Sequence, residues 1–569
     1  MKKINLILNL LTPKEKKLFY ILIILTLVSM FLEIVGLSTI IPLISVLLKN
    51  DLNNFYEFLN ISNLISNEKI VPYTLILIGL IFVIKNLYLC FFANFLVKYG
   101  MNTGKRLSQT LYEGYINLSY LKFIEKTSSK LIYNSTRAID IFRDSIGLIT
   151  LLITECLVLF GILIFLFIID PYTLSIMSAV IFSVFILLYF LNKKKNISWG
   201  KQSQFYETAR VKTIMESFNA IKDLKIKNIQ SFFFKEHENS NNLRSEFAIK
   251  HNFNIYIPRL FFEVVILFCI LTIVFILREL NFTQEEMITK IGLFTAAAFR
   301  LYPSSFKIIN SIQNFNFGTP SLEDLKKEIY QINSEKEKRD NIDKKYINSF
   351  NFESLQVKNL FFKFPEKKEF VLNDCNFKIS SNQIIGIKGT TGSGKSTFID
   401  ILAGLLQPER GTFTINDKNY NYFPDFWKQN ISYVSQNIAL LDDSIKKNIT
   451  FGEEKEIDEK WFEKVIEISQ LLKLSKSSPE GIDAMIGDKG VKISGGEKQR
   501  IGIARALYFK KPFLIMDEAT NALDESTELK IMSAIKTLTE ITILIISHKK
   551  NTLQFCDQIY EIQDGKLKK

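Results

Sequence analysis

Six stretches of the chain are apolar for about the 20 residues that a helix needs to cross a bilayer: Leu18 to Leu48, Val71 to Val97, Gly147 to Ile169, Tyr172 to Leu191, Leu260 to Leu277 and Ile291 to Ile312. Few folds tolerate that pattern. Inside hydrocarbon every backbone N–H and C=O must be bonded within the structure, so each run is expected to be a membrane-spanning helix. The first run is long enough to tilt or protrude, with Gly36 and Pro42 marking where it would break. It is too long for a cleaved leader and lacks a small-residue cleavage pattern, so it reads as a retained span.

The connections between the runs orient them. Residues 1–17 carry five Lys and Arg, 98–146 carry eight and 192–258 carry twelve, whereas the other three connections hold only Lys49, Lys69, Arg278 and Lys290. Basic residues stay on the cytoplasmic side, which puts the amino terminus and both long loops there. Six spans return the carboxy-terminal part to the same side. The long loops are periodic and are expected to extend the membrane helices into the cytosol, with Tyr120 to Ser128 and Met215 to Ile226 as candidate contacts to the carboxy-terminal domain. The outer connection contains the aromatic stretch from Phe55 to Ile61, which reads either as a membrane-surface helix or as an ordinary loop.

A net charge of +13, from 71 Lys and Arg against 58 Asp and Glu, raises nucleic-acid binding as a function class. Its distribution in alternate loops argues for membrane orientation instead, so no nucleic-acid partner is expected. The five cysteines are odd in number and widely spaced, which implies neither a disulfide framework nor a CxxC metal site.

Beyond residue 350 the pattern changes. Gly389-Thr390-Thr391-Gly392-Ser393-Gly394-Lys395-Ser396-Thr397 follows an apolar stretch and opens an apolar-periodic one, giving strand, glycine-rich loop and helix. Such a loop aims successive N–H groups at a triphosphate from the positive end of a helix. Lys395 would reach the β- and γ-phosphates and the Ser396 hydroxyl would ligate Mg²⁺, so ATP and Mg²⁺ are the expected cofactors. Farther on, the apolar strand Phe513 to Met516 ends in Asp517-Glu518, and the strand Thr542 to Ile546 ends in Ser547-His548. Asp517 would hold Mg²⁺, and Glu518 would polarise the attacking water as general base.

These motifs, in this order, resemble those of the ATP-binding-cassette (ABC) family. Ser494-Gly495-Gly496-Glu497-Lys498-Gln499-Arg500 resembles its signature, with Ile493 for the usual Leu and Glu497 where Gln is commoner. The resemblance implies that Ser494, Gly495, Gly496 and Glu497 bind phosphate, that His548 senses the γ-phosphate, and that Gln436 contacts Mg²⁺ or water. It further implies that Phe364 stacks on adenine and that Asn521 to Asp524 form an interface loop. Gly487-Asp488-Lys489-Gly490 resembles a loop of exporters. One phosphate loop and one signature make half of a composite site, so a homodimer is implied. The expected fold is an α-helical six-span membrane domain of exporter type with extended cytoplasmic helices, residues 1–317, a polar linker, 318–350, and an α/β phosphate-loop ABC ATPase domain, 351–569.

Charges within the spans point to the cargo. Lys85, Arg259 and Arg300, with Glu33, Glu155 and Glu263 as the acids, lie in predicted spans. The three bases read either as a cavity that grips an anionic group such as a pyrophosphate, or as helix-pairing and snorkelling residues, for example Arg259 with Glu263. Phe31 to Gly36, Ile257 to Glu263 and Phe299 to Ser304 resemble the membrane half of bacterial lipid-linked oligosaccharide flippases of protein glycosylation. That resemblance implies an ATP-driven translocase in the bacterial cytoplasmic (inner) membrane, moving a polyprenyl-pyrophosphate glycan to the outer leaflet. Alternatives are a lipid, drug or peptide exporter of the same architecture and, from another class, a nucleotide-gated channel or regulator. A soluble mechanical ATPase is excluded by the six spans.

Overall fold

The computed structural model describes residues 2–39, 70–169, 171–279, 284–340, 350–453, 457–476, 478–487, 490–538 and 540–569. The expected break at Pro42, the stretch at 55–61, and Asp488 and Lys489 lie outside them. The chain forms two compact units. One comprises Met1–Leu118 with Phe123–Arg339, the other Ser119–Lys122 with Asp340–Lys569.

The first unit is built from long helices: Pro13–Ser38, Ile70–Ile116, Arg137–Ile169, Pro171–Asn219, Gln230–Glu279 and Gln284–Asp340. At 1.5 Å per residue, the 47 residues of Ile70–Ile116 extend about 70 Å, more than twice a hydrocarbon core of about 30 Å. Among the described residues four helical segments are long and apolar enough to cross a membrane: Pro13–Gly36, Leu75–Ile116, Ser128–Ile168 and Gln230–Thr272. The apolar runs at 172–191 and 291–312 are helical within Pro171–Asn219 and Gln284–Asp340. Large apolar side chains such as Leu87, Phe91, Phe160, Ile168 and Phe190 point outward, as suits a lipid solvent.

The region from 318 onward departs from the expectation of a polar linker. The last helix runs on to Asp340, and Leu322, Leu325 and Ile332 are buried in the core of the first unit with Ile329 packed against them. Spacings of three and four residues place those apolar side chains on one helix face, while Glu323, Lys326 and Lys327 between them are exposed and the buried Glu328 is paired with Lys126 at 2.7 Å.

The second unit holds two sheets. A four-stranded antiparallel sheet has the order β2-β1-β4-β5, with β1 Ser354–Phe362, β2 Leu372–Ser380, β4 Arg410–Ile415 and β5 Lys418–Tyr420. A six-stranded sheet has the order β10-β9-β3-β8-β7-β6, with β3 Ile384–Gly389, β6 Ile431–Val434, β7 Phe513–Asp517, β8 Thr542–Ile546, β9 Gln558–Gln563 and β10 Lys566–Lys568. All its pairings are parallel except that of β10 with β9. β7 and β8 are buried along their whole length, which is why they read as unbroken apolar runs. Register then sets the site. Ile546 pairs with both Ile387 of β3 and Asp517 of β7, so the phosphate loop, the Asp-Glu pair and Ser547-His548 all leave the sheet at its carboxyl edge. Ligands of open parallel sheets bind at that edge.

Ser119–Lys122, distant in sequence, belong to this second unit, and Leu121 packs against its apolar core.

Candidate functional site

Gly392 and Gly394 have φ of 83° and 104°, which side chains rarely adopt, and a Cβ at Gly389 would stand 2.3 Å from the carbonyl oxygen of Ile562. The loop therefore needs glycine at these points. It turns into the helix Lys395–Leu402, at whose start Ser396 is exposed and Thr397 half-buried. Thr390 and Thr391 are exposed at the loop tip. Lys395 is buried, and its Nζ donates to the carbonyls of Gly389 at 2.7 Å and Thr390 at 2.8 Å. Burial lowers its pKa, while Glu518 and Asp517 act the other way. The buried Ser393 hydroxyl finds no partner among the described residues. Backbone-lined glycine turns, a buried hydroxyl, an ammonium donating to loop carbonyls and two nearby carboxylates suit a magnesium-bound triphosphate.

Asp517 is buried at the end of β7, and the Tyr433 hydroxyl donates to its Oδ2 at 3.1 Å. Burial raises its pKa. Glu518 begins the next loop in a left-handed conformation, with φ of 50°. Three side chains converge on its carboxylate: Gln436 Nε2 at 2.8 Å, Asn521 Nδ2 at 2.7 Å and His548 Nε2 at 3.7 Å. Gln436, Glu518 and His548, proposed from separate motifs, are thus brought together. Asn521 and Tyr433 were not singled out as contacts to the two carboxylates. Tyr433 sits three residues before Gln436, but only the pairing of β6 with β7 brings its hydroxyl to Asp517.

Ser494 caps the helix Gly495–Tyr508 and forms a reciprocal capping box with Glu497. The Glu497 carboxylate accepts from the Ser494 N–H at 2.7 Å and from its hydroxyl at 2.8 Å. That accounts for the unusual Glu497, since a carboxylate suits the positive end of a helix. Gly495 and Gly496 form the first turn, and a Cβ at Gly496 would crowd the Ala522 carbonyl at 3.1 Å. Among the described residues no hydrogen bond or ion pair joins Ser494–Glu497 to the phosphate loop. Asp524 caps the helix Glu525–Lys536, accepting from the Ser526 hydroxyl at 2.6 Å and the Thr527 N–H at 2.9 Å, which hold its carboxyl well below the usual range. Phe364 is half-buried and meets Phe362 edge-on at 5.1 Å.

The proposed cargo residues fare differently. Lys85 had no acid nearby in sequence, yet its Nζ lies 3.0 Å from Glu33 Oε2 on a neighbouring helix. It is a paired base, because an uncompensated charge at that depth is expensive. Arg259 is exposed and makes no ion pair with Glu263. Arg300 lies on the last long helix, with its side chain outside the described residues. Nothing described brings the three bases together. A second intramembrane pair was missed: Glu155, almost fully buried, accepts from Lys307 Nζ and from the Ser304 hydroxyl, each at 2.7 Å.

A family model described as ABC transporter matches residues 372–521. The solved structure of a bacterial Atm1-family ABC exporter with ATP bound superposes with a TM-score of 0.76 at 15% identity, covering 98% of this chain and 94% of that one. The chain has the fold of that ABC exporter. Two further similarities separate its halves. A protein of Rickettsia bellii described as an export ATP-binding/permease protein is 29% identical over 509 residues, 87% of this chain and 85% of the relative. ATP-dependent lipid A-core flippases of Photobacterium profundum and Pseudoalteromonas translucida are 35% and 37% identical, but over only 37% of each relative's length. Residues 372–521, within the second unit, form an ABC transporter ATP-binding domain.

Proposed function

We propose that the chain is an ATP-driven exporter of the flippase type, working as a homodimer in the bacterial cytoplasmic membrane with its ATPase domain in the cytoplasm. The observation that carries the ATPase reading is the convergence of Gln436, Asn521 and His548 on Glu518, beside Asp517. Lys395 and the loop N–H groups would bind phosphate, Ser396, Gln436 and Asp517 would hold Mg²⁺, and Phe364 would stack on adenine. Bound Mg²⁺-ATP supplies the phosphoryl group whose transfer to water drives the cycle. Glu518 takes the water's proton and His548 donates toward phosphate. Ser494, Gly495, Gly496 and Glu497 would complete the site of a second copy.

For the cargo, the reading is a polyprenyl-pyrophosphate-linked oligosaccharide or a similar anionic lipid. It is supported by the membrane-half motifs, with Arg259 and Arg300 as the bases that would grip the anion and Lys85 committed to Glu33 instead. The lipid A-core flippases among the relatives favour a second anionic lipid, lipid A, as the competing cargo.

Two measurements test these readings. In the purified full chain, Glu518→Gln is expected to lower ATP turnover by about 100-fold or more. Unchanged turnover would refute the hydrolysis mechanism, and an ATP-gated conductance that survives in the variant would favour a channel. In proteoliposomes, fluorescent polyprenyl-pyrophosphate glycan is expected to flip with the wild type and to flip poorly with Arg300→Ala. Flipping of lipid A alone overturns the glycan assignment, and normal flipping by Arg300→Ala overturns the anion grip.

A further inference from the structure

Behind the proposed catalytic groups lies a buried polar cluster that none of the motifs contains. Glu528, on the helix Glu525–Lys536, is 1% exposed, and a carboxylate so buried must be paired. Its Oε1 accepts from the hydroxyl of Thr520 at 3.1 Å and from that of Thr552. Its Oε2 accepts from Lys549 Nζ at 2.9 Å. The same ammonium donates to the carbonyls of Thr520 at 2.8 Å and Leu523 at 3.2 Å. An ammonium has three protons, and all three are used.

The chain positions matter. Lys549 directly follows His548, whereas Thr520 and Leu523 belong to the loop that starts at Glu518 and ends at the cap Asp524. That loop is also tied to the signature helix, because Ala522 N–H donates to the buried Gln499 side chain at 2.7 Å. We infer that Lys549 and Glu528 form a clasp that sets His548 and Glu518 in register through the loop between residues 518 and 524. Both are positioning residues. The clasp rests on the hydrolysis reading above and adds to it a group that touches neither nucleotide nor metal. A lost clasp lets the loop and the histidine shift independently, which affects the step in which both must be aligned. Nucleotide binding, through Lys395 and the phosphate loop, is left intact.

The test is steady-state Mg²⁺-ATP hydrolysis by the full chain in lipid nanodiscs. Lys549→Met is expected to lower kcat about tenfold with KM changed by less than about twofold, since misplacing aligned groups slows the step without weakening binding. Lys549→Arg keeps the charge and the donors and is expected to recover most of the rate. Because Lys549→Met leaves a buried carboxylate unpaired and can unfold the domain, Glu528→Gln/Lys549→Met serves as the second variant. It removes both charges and is expected to stay folded and equally slow. Wild-type kcat in either variant, a change confined to KM, or a Lys549→Arg no faster than Lys549→Met overturns the clasp. No hydrolysis by wild type, or full hydrolysis by Glu518→Gln, would instead overturn the hydrolysis reading.

Discussion

Asp400, one turn into the phosphate-loop helix, is half-buried and belongs to none of the nucleotide-site motifs, yet it should control the stability of the ATPase unit with pH. Burial, and then the Asp517 carboxylate, raise its pKa from the ordinary 3.8 to about 6. The folded state therefore holds this proton where the unfolded chain has released it. The penalty for ionised Asp400 is absent below about pH 4, develops as pH rises through about 6, and is complete above about 7. A shift of roughly two units corresponds to at most about 3 kcal/mol, and partial solvent access reduces that to about 1–2 kcal/mol. Asp400→Asn removes the titration. In EDTA at pH 7.5, so that Asp517 keeps its charge, the variant is expected to melt about 3–6 °C above wild type, and the gap should narrow to roughly half as pH falls to 5. The assay is thermal unfolding of the full chain in detergent, followed across pH 5 to 8. Equal melting at pH 7.5, or a gap that widens on acidification, would refute the assignment.

Two stability predictions test other contacts. Trp427 is fully buried among Phe352, Phe423 and Phe513, and its Nε1–H donates to the Leu402 carbonyl at 2.7 Å, so Trp427→Phe should destabilise the ATPase unit by about 1–3 kcal/mol, read as a lower melting temperature. Lys307→Met removes the ammonium that lies 2.7 Å from the buried Glu155 and should destabilise the membrane unit by about 1–3 kcal/mol, whereas Glu155→Gln/Lys307→Met should recover most of it; equal melting of the single and double variants would show that the pair is not coupled.

Much of the ATPase unit was legible in the sequence because its signals are local. A parallel strand buried on both faces must be apolar throughout, so β3, β7 and β8 announced themselves, and the loop Gly389 to Lys395 needs glycines that no ordinary turn requires together. The extended helices were likewise legible from length and periodicity, though 318–340 misled, because the charged face of an amphipathic helix dominates its composition. The intramembrane bases were the least legible part. A lone Lys85 or Glu155 in an apolar run states that a partner is needed and nothing about which helix supplies it.

The sequence by itself determined that this chain has a membrane half and a phosphate-loop half, and which residue types stand at the nucleotide site, because glycine turns, buried strands and apolar runs are properties of neighbouring residues. Tertiary structure alone decided that Lys85 belongs to Glu33, Lys307 to Glu155 and Lys549 to Glu528, and that Gln436, Asn521 and His548 meet at one carboxylate. Those partners sit on different elements, and the need to compensate a buried charge acts through space, with no period along the chain to reveal it.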